Sequence, residues 1–364
     1  LVTGVQTCAL PIFRRGAPLP LATSCSPLYT TPMKHTQLFT KTRHEAPAGE
    51  EAKNAQLLIR AGYIHKELAG AYSFLPLGMR VLDKITAVIH EEMQKAGGQL
   101  VHMTGLQDPK VWESTERWSD EAVDVWFKAS LHAGGELGLG FTHEEPLTRI
   151  MRNHISSYRD LPVYAYQIQT KYRNELRAKS GIMRGREFLM KDLYSFSRDE
   201  EEHVVFYEKI KEVYHYTFER LGIGRETFLT FASGGSFAQF SHEFQTLTDA
   251  GEDIIYVDRK KRLAINQEVY NDEVISQLGL DKDSLEEVKA AEVGNIFTLG
   301  TRFSDAIGLT FNDEQGKERP VFMGSYGIGP TRIMGVVVEL FSDEKGIIWP
   351  DDIRSEEHTS ELQS

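Results

Sequence analysis

The run Tyr164–Phe196 (YAYQIQTKYRNELRAKSGIMRGREFLMKDLYSF) constrains this chain more than any other stretch, because its alternation demands two strands joined by a basic loop. Tyr164, Tyr166, Ile168 and Tyr172 fall at even positions, and Gln167, Gln169, Lys171, Arg173 and Glu175 at odd ones. Period 2 of this kind predicts a strand. Its polar face either meets water or lines a site. Phe188, Met190, Asp192, Tyr194 and Phe196 alternate in turn, so Asp192 shares a face with large side chains. Between the strands lie Arg177, Lys179, Arg184 and Arg186, with Gly181 and Gly185 to bend the chain. Four cations close to Arg173 read as the site of an anion with several oxygens, phosphate first, since guanidinium groups grip it bidentately. A solvated basic loop is the alternative on these residues alone.

Such an anion must be met locally, because the chain as a whole carries a formal charge of −12. Its 364 residues, 41% of them hydrophobic, can core one large domain or two ordinary ones. No stretch approaches the roughly 18 consecutive apolar residues of a membrane span. Cys8 and Cys25 both precede Met33, and no cysteine follows, which removes disulfides and thiolate zinc sites from Met33 onward. A reducing cytoplasm fits that usage. Residues 1–32 lack usable periodicity and 354–364 are polar and aperiodic. Both ends, LVTGVQTCALPI and RSEEHTSELQS, resemble translated sequencing-adapter read-through, with disordered natural tails as the alternative, and neither enters the fold reasoning.

Leu77 to Ala96 carries Leu77, Val81, Leu82, Ile85, Val88, Ile89 and Met93 at helical spacing before Gly97 and Gly98, which predicts a long amphipathic helix with a glycine stop. A strand over Gln99–Leu106 is expected next, then two tryptophans, Trp112 and Trp118, with a core or interface role. His143 in FTHEEPLT has Leu147 four residues on, and His242 has Thr246, so neither forms a zinc helix. On the residues alone His242 and Glu243 read as a satisfied surface pair. Ser197-x-x-Glu200 reads as a capping box opening a helix with Val204, Tyr207, Ile210, Tyr214 and Leu221 on one face. Residues 254–291 are charged and read as a short excursion too small for a core of its own. Strands are expected over 292–300 and 320–325. Gly327-x-Gly329 lacks the third glycine of a dinucleotide fingerprint. Pro330 suits a first helical turn, which leaves Arg332 either as a second anion site beside the free amides or as an ordinary surface arginine.

Together these segments resemble the bacterial-type prolyl-tRNA synthetases, a class II aminoacyl-tRNA synthetase family. The resemblance runs from about Lys34 to Ile353 and rests on THEE at 142–145, YQIQTKYRNE at 166–175, MRGREFLMKD at 183–192, SHEFQ at 241–245, GNIFTLGT at 294–301 and GSYGIGPTR at 324–332. It implies an α+β fold, a class II catalytic domain over 33–353 with a mainly antiparallel sheet flanked by helices, and 254–291 standing in place of an editing insertion. Arg173 and Glu175 match the Arg-x-Glu of motif 2, the arginine holding the ATP α-phosphate and the amino-acid carboxylate. Arg184 and Phe188 match the loop that reaches the terminal phosphates and stacks on adenine. Gly329 and Arg332 match motif 3 on the other side of the nucleotide. Arg173, Glu175 and Arg332 are thus the implied catalytic set. Thr142 and Glu144 match the Thr-x-Glu loop that receives the imino group of proline, with Arg173, Met190, Asp192, Tyr194 and His242 as further proline-binding residues.

The implied activity is proline–tRNA ligation: ATP and proline give prolyl-adenylate, and the acceptor end of tRNA(Pro) takes the prolyl group. Mg²⁺ is implied with ATP, its protein ligands unassigned. A cytoplasmic homodimer with no membrane association is implied as well. A synthetase-like nucleotide- or tRNA-binding regulator and a class II ligase with a non-tRNA acceptor are the other classes to weigh; retention of Arg173, Glu175, Arg332, Thr142 and Glu144 speaks against the regulator. Three departures from the family pattern matter. Thr104 stands where relatives carry the motif 1 proline, which bears on the dimer. The stretch between Asp253 and Gly294 is much shorter than the editing insertion, so hydrolysis of mischarged alanyl-tRNA is not expected. Relatives continue past Ile353 into an anticodon-binding domain, so the expectation is a catalytic core that makes the adenylate and recognises tRNA poorly.

Overall fold

The computed structural model describes residues 37–234 and 240–354, and in it the alternating run forms a long hairpin, Val163–Tyr172 against Glu187–Ser197. Register places Gln167 opposite Asp192, Gln169 opposite Met190 and Lys171 opposite Phe188. Gln167, Gln169 and Lys171 are all buried, so the polar face of the first strand does not meet water. The other face of the second strand, with Lys191, Leu193 and Ser195, lies beneath the helix Glu200–Arg220, whose Phe206, Tyr207, Ile210, Tyr214 and Phe218 are buried at helical spacing. Phe206 stacks on Tyr164 at 3.7 Å and meets Tyr326 edge-on at 5.4 Å. The helix is capped by Asp199, which accepts from Glu202 N–H at 2.9 Å, and not by the expected Ser197. Ser197 is still the buried last residue of its strand, paired with Phe322.

Beyond the hairpin the sheet continues through Phe322–Ile328, with Gly327 opposite Asp192, to the long strand Glu286–Gly300, with Asn295 opposite Gly327. The latter starts six residues before the expected 292, and its leading part completes a ring with Asp253–Asp258, Leu263–Asn266, Thr227–Ser233 and Phe240–Leu247. Each strand pairs with the next and the last pairs back to the first, so this end of the sheet has no free edge. Within the ring, pairing is antiparallel except where Leu263–Ile265 runs parallel to Leu229–Phe231. Phe228, Ile255, Val257, Ala264 and Ala290 pack together in the ring, and residues 254–291 supply most of two strands and the short helix Asp272–Gln277, which buries Val274 and Ile275 against Ile265.

The strand expected over Gln99–Leu106 is interrupted. Gln99–Leu100 forms the opposite edge of the sheet, parallel to Ala165–Tyr166, while Leu106–Gln107 joins a separate three-stranded sheet with Phe127–Ser130 and Glu136–Leu139. The break occurs because Met103 turns its backbone to side chains: its N–H donates to Gln167 Oε1 at 3.1 Å and its carbonyl accepts from Gln169 Nε2. Trp112 and Trp126, with Trp118 and Phe141 against them, form a small aromatic core beside that sheet. The expected long helix spans Pro76–Lys95, and the last one spans Pro330–Leu340. Among the described residues no helix is long and apolar enough to cross a membrane. The head, the tail beyond Arg354, both cysteines and part of the Ser233–Ser236 cluster lie outside the described residues.

Phe228 is 2% exposed at the centre of the ring cluster. Phe228→Ala is therefore expected to lower unfolding stability by about 3–5 kcal/mol, measured by guanidinium titration.

Candidate active site

Arg173, Glu175, Arg184, Phe188, Met190, Glu292, Asn295, Gly327, Gly329 and Arg332 surround one open cleft of about 530 Å³ at the loop end of the hairpin. Gly294, Gly327 and Gly329 are also among its lining residues. A Cβ at Gly327 would come within 2.6 Å of Asn295 Oδ1, the same oxygen that accepts Gly327 N–H at 3.1 Å. The Asn295 amide thus lies over Gly327, close enough that a larger residue at this position would displace it.

The three arginines of the cleft differ in what already holds them. Arg184 donates to Glu175 Oε2 through Nε at 3.1 Å and Nη2 at 2.8 Å, and pairs with Glu252, which also accepts from Ser180 Oγ at 2.7 Å. Arg332 donates to Met183 O at 2.9 Å and to Glu292 O at 2.6 Å, with the Glu292 carboxylate 3.3 Å away. It is thus a buttress between the basic loop and the long strand as well as a wall of the cleft. Arg173 has its N–H bonded to Arg186 O at 2.8 Å, but among the described residues its guanidinium has no hydrogen-bond or ion-pair partner and lies 5.2 Å from the Phe188 ring centre. Desolvation and then the nearby Arg332 charge pull its pKa down, which marks it as the group that gains most from an anion. Arg186 is a latch, with Nε on Glu175 O at 3.0 Å and Nη1 on Ala69 O at 2.9 Å.

Further along the same face of the sheet stand the other predicted residues. Thr142 Oγ1 donates to Glu144 Oε2 at 2.6 Å. Glu144 is 6% exposed, and Arg117 Nη1 lies 3.6 Å from it and 2.8 Å from the fully buried Glu145. Burial pushes the Glu145 carboxyl up to about 7, although Arg117 opposes the shift. Tyr194 OH donates to Asp192 Oδ2 at 3.1 Å and accepts His143 N–H at 3.2 Å, which joins the strand to the Thr142–Glu144 loop. Burial, then Asp192, holds the phenol well above its usual range. Asp192 also accepts from Gln167 Nε2 at 2.9 Å and forms an ion pair with Lys171 at 2.9 Å. Thr142, Glu144, Arg173, Met190, Asp192 and Tyr194 therefore share one face of the sheet.

His242 does not join them. Its strand places it opposite Ile296, which is opposite Tyr326, so it points to the helix-covered face. There Nδ1 meets Tyr207 OH at 2.7 Å, and burial followed by Lys211 depresses the ring to about 3. The residue aimed at the cleft face is its neighbour Glu243, opposite Asn295, and this replaces the expectation of a His–Glu surface pair. Gln245 Nε2 bridges Glu243 Oε2 at 2.9 Å and Asp253 Oδ2 at 2.7 Å. Desolvation and then Glu292 push the Glu243 carboxyl up to about 8. Lys171 and Gln167 were readable as same-face neighbours of Asp192 by parity; Arg117, Glu252 and Glu292 have no local signature. Among the described residues no group of three or more His, Cys, Asp or Glu is arranged to hold a metal ion.

The family model of the tRNA synthetase class II core domain (G, H, P, S and T) matches residues 127–341. The chain is 35% identical over 348 residues to a proline–tRNA ligase of Bartonella bacilliformis, covering 88% of this chain and 78% of the relative. It is 37% identical over 328 residues to one of Rickettsia bellii, covering 86% and 75%. Among solved structures it resembles the prolyl-tRNA synthetase of Cryptosporidium parvum complexed with L-proline and AMP, with TM-score 0.65 at 18% identity. The same protein with halofuginone and AMPPNP gives TM-score 0.67 at 17% identity. These alignments cover 83% of this chain and 54% and 56% of those chains, so it spans about half their length.

Because the folded Glu243 carboxyl titrates near 8 and a free one near 4.5, its contribution to stability is complete below about 4.5 and is lost as pH rises through about 8. Glu243→Gln should flatten that decline, which for one proton is at most about 1.4 kcal/mol per pH unit. Denaturant midpoints from pH 5 to 9 measure it; an unaltered slope would contradict the assignment.

Proposed function

Because this chain belongs to the class II aminoacyl-tRNA synthetases and, within them, to the proline–tRNA ligase family, we propose that it activates proline with ATP and passes the prolyl group to tRNA(Pro). The observation that carries this reading is Arg173: a guanidinium without a hydrogen-bond or ion-pair partner among the described residues, between an open cleft lined by further arginines and the acidic Thr142–Glu144 loop.

In the first step a carboxylate oxygen of proline attacks the α-phosphorus of ATP, the bond from that phosphorus to the bridging oxygen breaks, and pyrophosphate leaves. Arg173 binds both the α-phosphate and the proline carboxylate, which offsets their mutual repulsion and the charge gathering at phosphorus. Phe188 has one side against Arg173 and offers the other to adenine above the Gly327–Gly329 floor, while Glu175 orients Arg184. Arg184 reaches the terminal phosphates by exchanging Glu252 for them, and Arg332 bounds the far side. The secondary ammonium of proline is held by Glu144, whose free lone pairs suit a cation, with Met190, Asp192 and Tyr194 completing the wall. In the second step the terminal ribose hydroxyl of tRNA attacks the carbonyl carbon, AMP departs and the hydroxyl proton is lost to solvent. No covalent enzyme intermediate is needed.

Mg²⁺ accompanies the triphosphate in this reading, as that ion usually binds through phosphates, waters and one or two carboxylates; Glu175 and Glu292 are the carboxylates that line the cleft. It would supply charge neutralisation on the leaving pyrophosphate. A homodimer through the short edge strand Gln99–Leu100, where Leu100 is exposed, and a cytoplasmic location with the tRNA complete the proposal.

ATP–pyrophosphate exchange should depend on proline and not on alanine or cysteine; exchange supported by another amino acid and not by proline would overturn the specificity. Arg173→Ala is expected to reduce exchange at least about 1,000-fold with little change in melting temperature, as loss of a group that stabilises transition-state charge does. Glu144→Gln should raise the KM for proline about tenfold or more while that for ATP stays within about twofold.

A further inference from the structure

The amino-acid side of the cleft rests on a closed circuit of buried polar groups, two of which, Lys171 and His143, neither chemical step uses. Lys171 is completely buried, with Nζ 2.9 Å from Asp192 Oδ1 and 2.7 Å from His143 Nδ1. Burial and then the Lys171 charge depress the His143 ring to about 4, so near neutral pH it is uncharged. With Nδ1 accepting from the ammonium, the ring proton sits on Nε2 and is donated to Thr104 O at 3.0 Å. His143 N–H donates to Tyr194 OH, Tyr194 OH donates to Asp192 Oδ2, and Asp192 returns the circuit to Lys171. Gln167 braces it, donating to Asp192 and accepting Met103 N–H.

The position of His143 gives this circuit its consequence. It separates Thr142 from Glu144 and is the residue before the helix Glu144–Met151, with no side-chain capping bond to that helix. Anchoring of its ring therefore sets where the Thr142 hydroxyl and the Glu144 carboxylate point. We propose that Lys171 is the positioning residue of the amino-acid pocket, acting through His143 on the Thr142–Glu144 pair and directly on Asp192. The proposal rests on the functional reading above. A comparison within the same hairpin supports it: Lys191, equally buried, faces the other side of the sheet, where it bonds Tyr326 O at 2.8 Å and Tyr214 OH. One lysine thus braces the helix-covered core, and the other touches only groups that carry or adjoin the pocket. The arginines around the nucleotide are held by a separate set of partners, Glu175, Glu252, Met183 and Glu292.

The test is steady-state exchange with the full chain, varying proline at saturating ATP and ATP at saturating proline. Lys171→Met keeps the side-chain length and removes the charge; it should raise the KM for proline about tenfold or more and leave that for ATP within about twofold. His143→Gln retains an acceptor for Lys171 and a donor for Thr104, and should stay within about threefold of wild type for proline, whereas His143→Leu should match Lys171→Met. Equal increases in both KM values, or none, would overturn the proposal, since loss of general packing does not separate the two substrates. If Lys171→Met fails to fold, the two His143 variants decide: equal proline KM values for Gln and Leu overturn it. Wild-type exchange with a different amino acid would overturn the functional reading alone, and the same split is then read with that amino acid. Calorimetric proline binding reads it where turnover is slow.

Discussion

The pairing of Gln167, Gln169 and Lys171 across the hairpin with Asp192, Met190 and Phe188 is the constraint on which the rest of the structure depends. Polar groups placed on a buried face are costly unless each finds a partner, and here the partners are recruited from distant segments. Gln167 and Gln169 take the backbone of Met103, which interrupts the strand that would otherwise run from Gln99. Lys171 takes His143, which fixes the loop carrying Thr142 and Glu144. One buried polar face thereby determines where the sheet edge stops and where the Thr142–Glu144 loop docks.

Around the cleft the same logic divides the cations. Arg186 and Arg332 hold backbone carbonyls and shape the walls, Arg184 is held by two carboxylates, and Arg173 is left facing the cavity. In a chain of net charge −12, with Glu144, Glu175, Glu243 and Glu292 nearby, an anionic substrate is attracted by local geometry and not by the overall field. The acids keep the arginines apart and oriented; their repulsion of one another is visible in the raised pKa of Glu243, where Glu292 adds to desolvation.

Much of this was legible in the chain. Strict alternation in 164–196 gave both hairpin strands, and alternation also put Met190, Asp192 and Tyr194 on one face. Parity carried less weight at His242, because whether an even or an odd residue faces the cleft depends on pairing with the strand Glu286–Gly300. A one-residue change of face exchanges His242 for Glu243, and no local pattern fixes that choice. Helix limits were readable to about a residue at Pro76–Lys95, yet the cap of Glu200–Arg220 moved from Ser197 to Asp199 because the sheet claims Ser197 first. Residues 254–291 lacked an apolar pattern strong enough to announce a core, since their buried side chains are divided between two clusters, Ile255, Val257, Ala264 and Ala290 against Phe228, and Ile265 with Val274, Ile275 and Leu280.

Those two outcomes, the ring and the buried polar face, have a common mechanical effect on the site. The sheet has a closed ring at one end and a short, interrupted edge strand at the other. Gly294, Gly327 and the hairpin lie between them, where the sheet is flanked by paired strands on both sides. There Gly327 N–H is met by Asn295 Oδ1 and Gly329 N–H by Val293 O, so these two amides beside the cleft are satisfied within the protein. Arg173 and Arg184 reach the cleft from the loop end of the hairpin, and Glu144 stands further along the same face. Such groups are rigid only to the degree that buried partners hold them, and for Glu144 that support is the Lys171–His143 circuit beneath it.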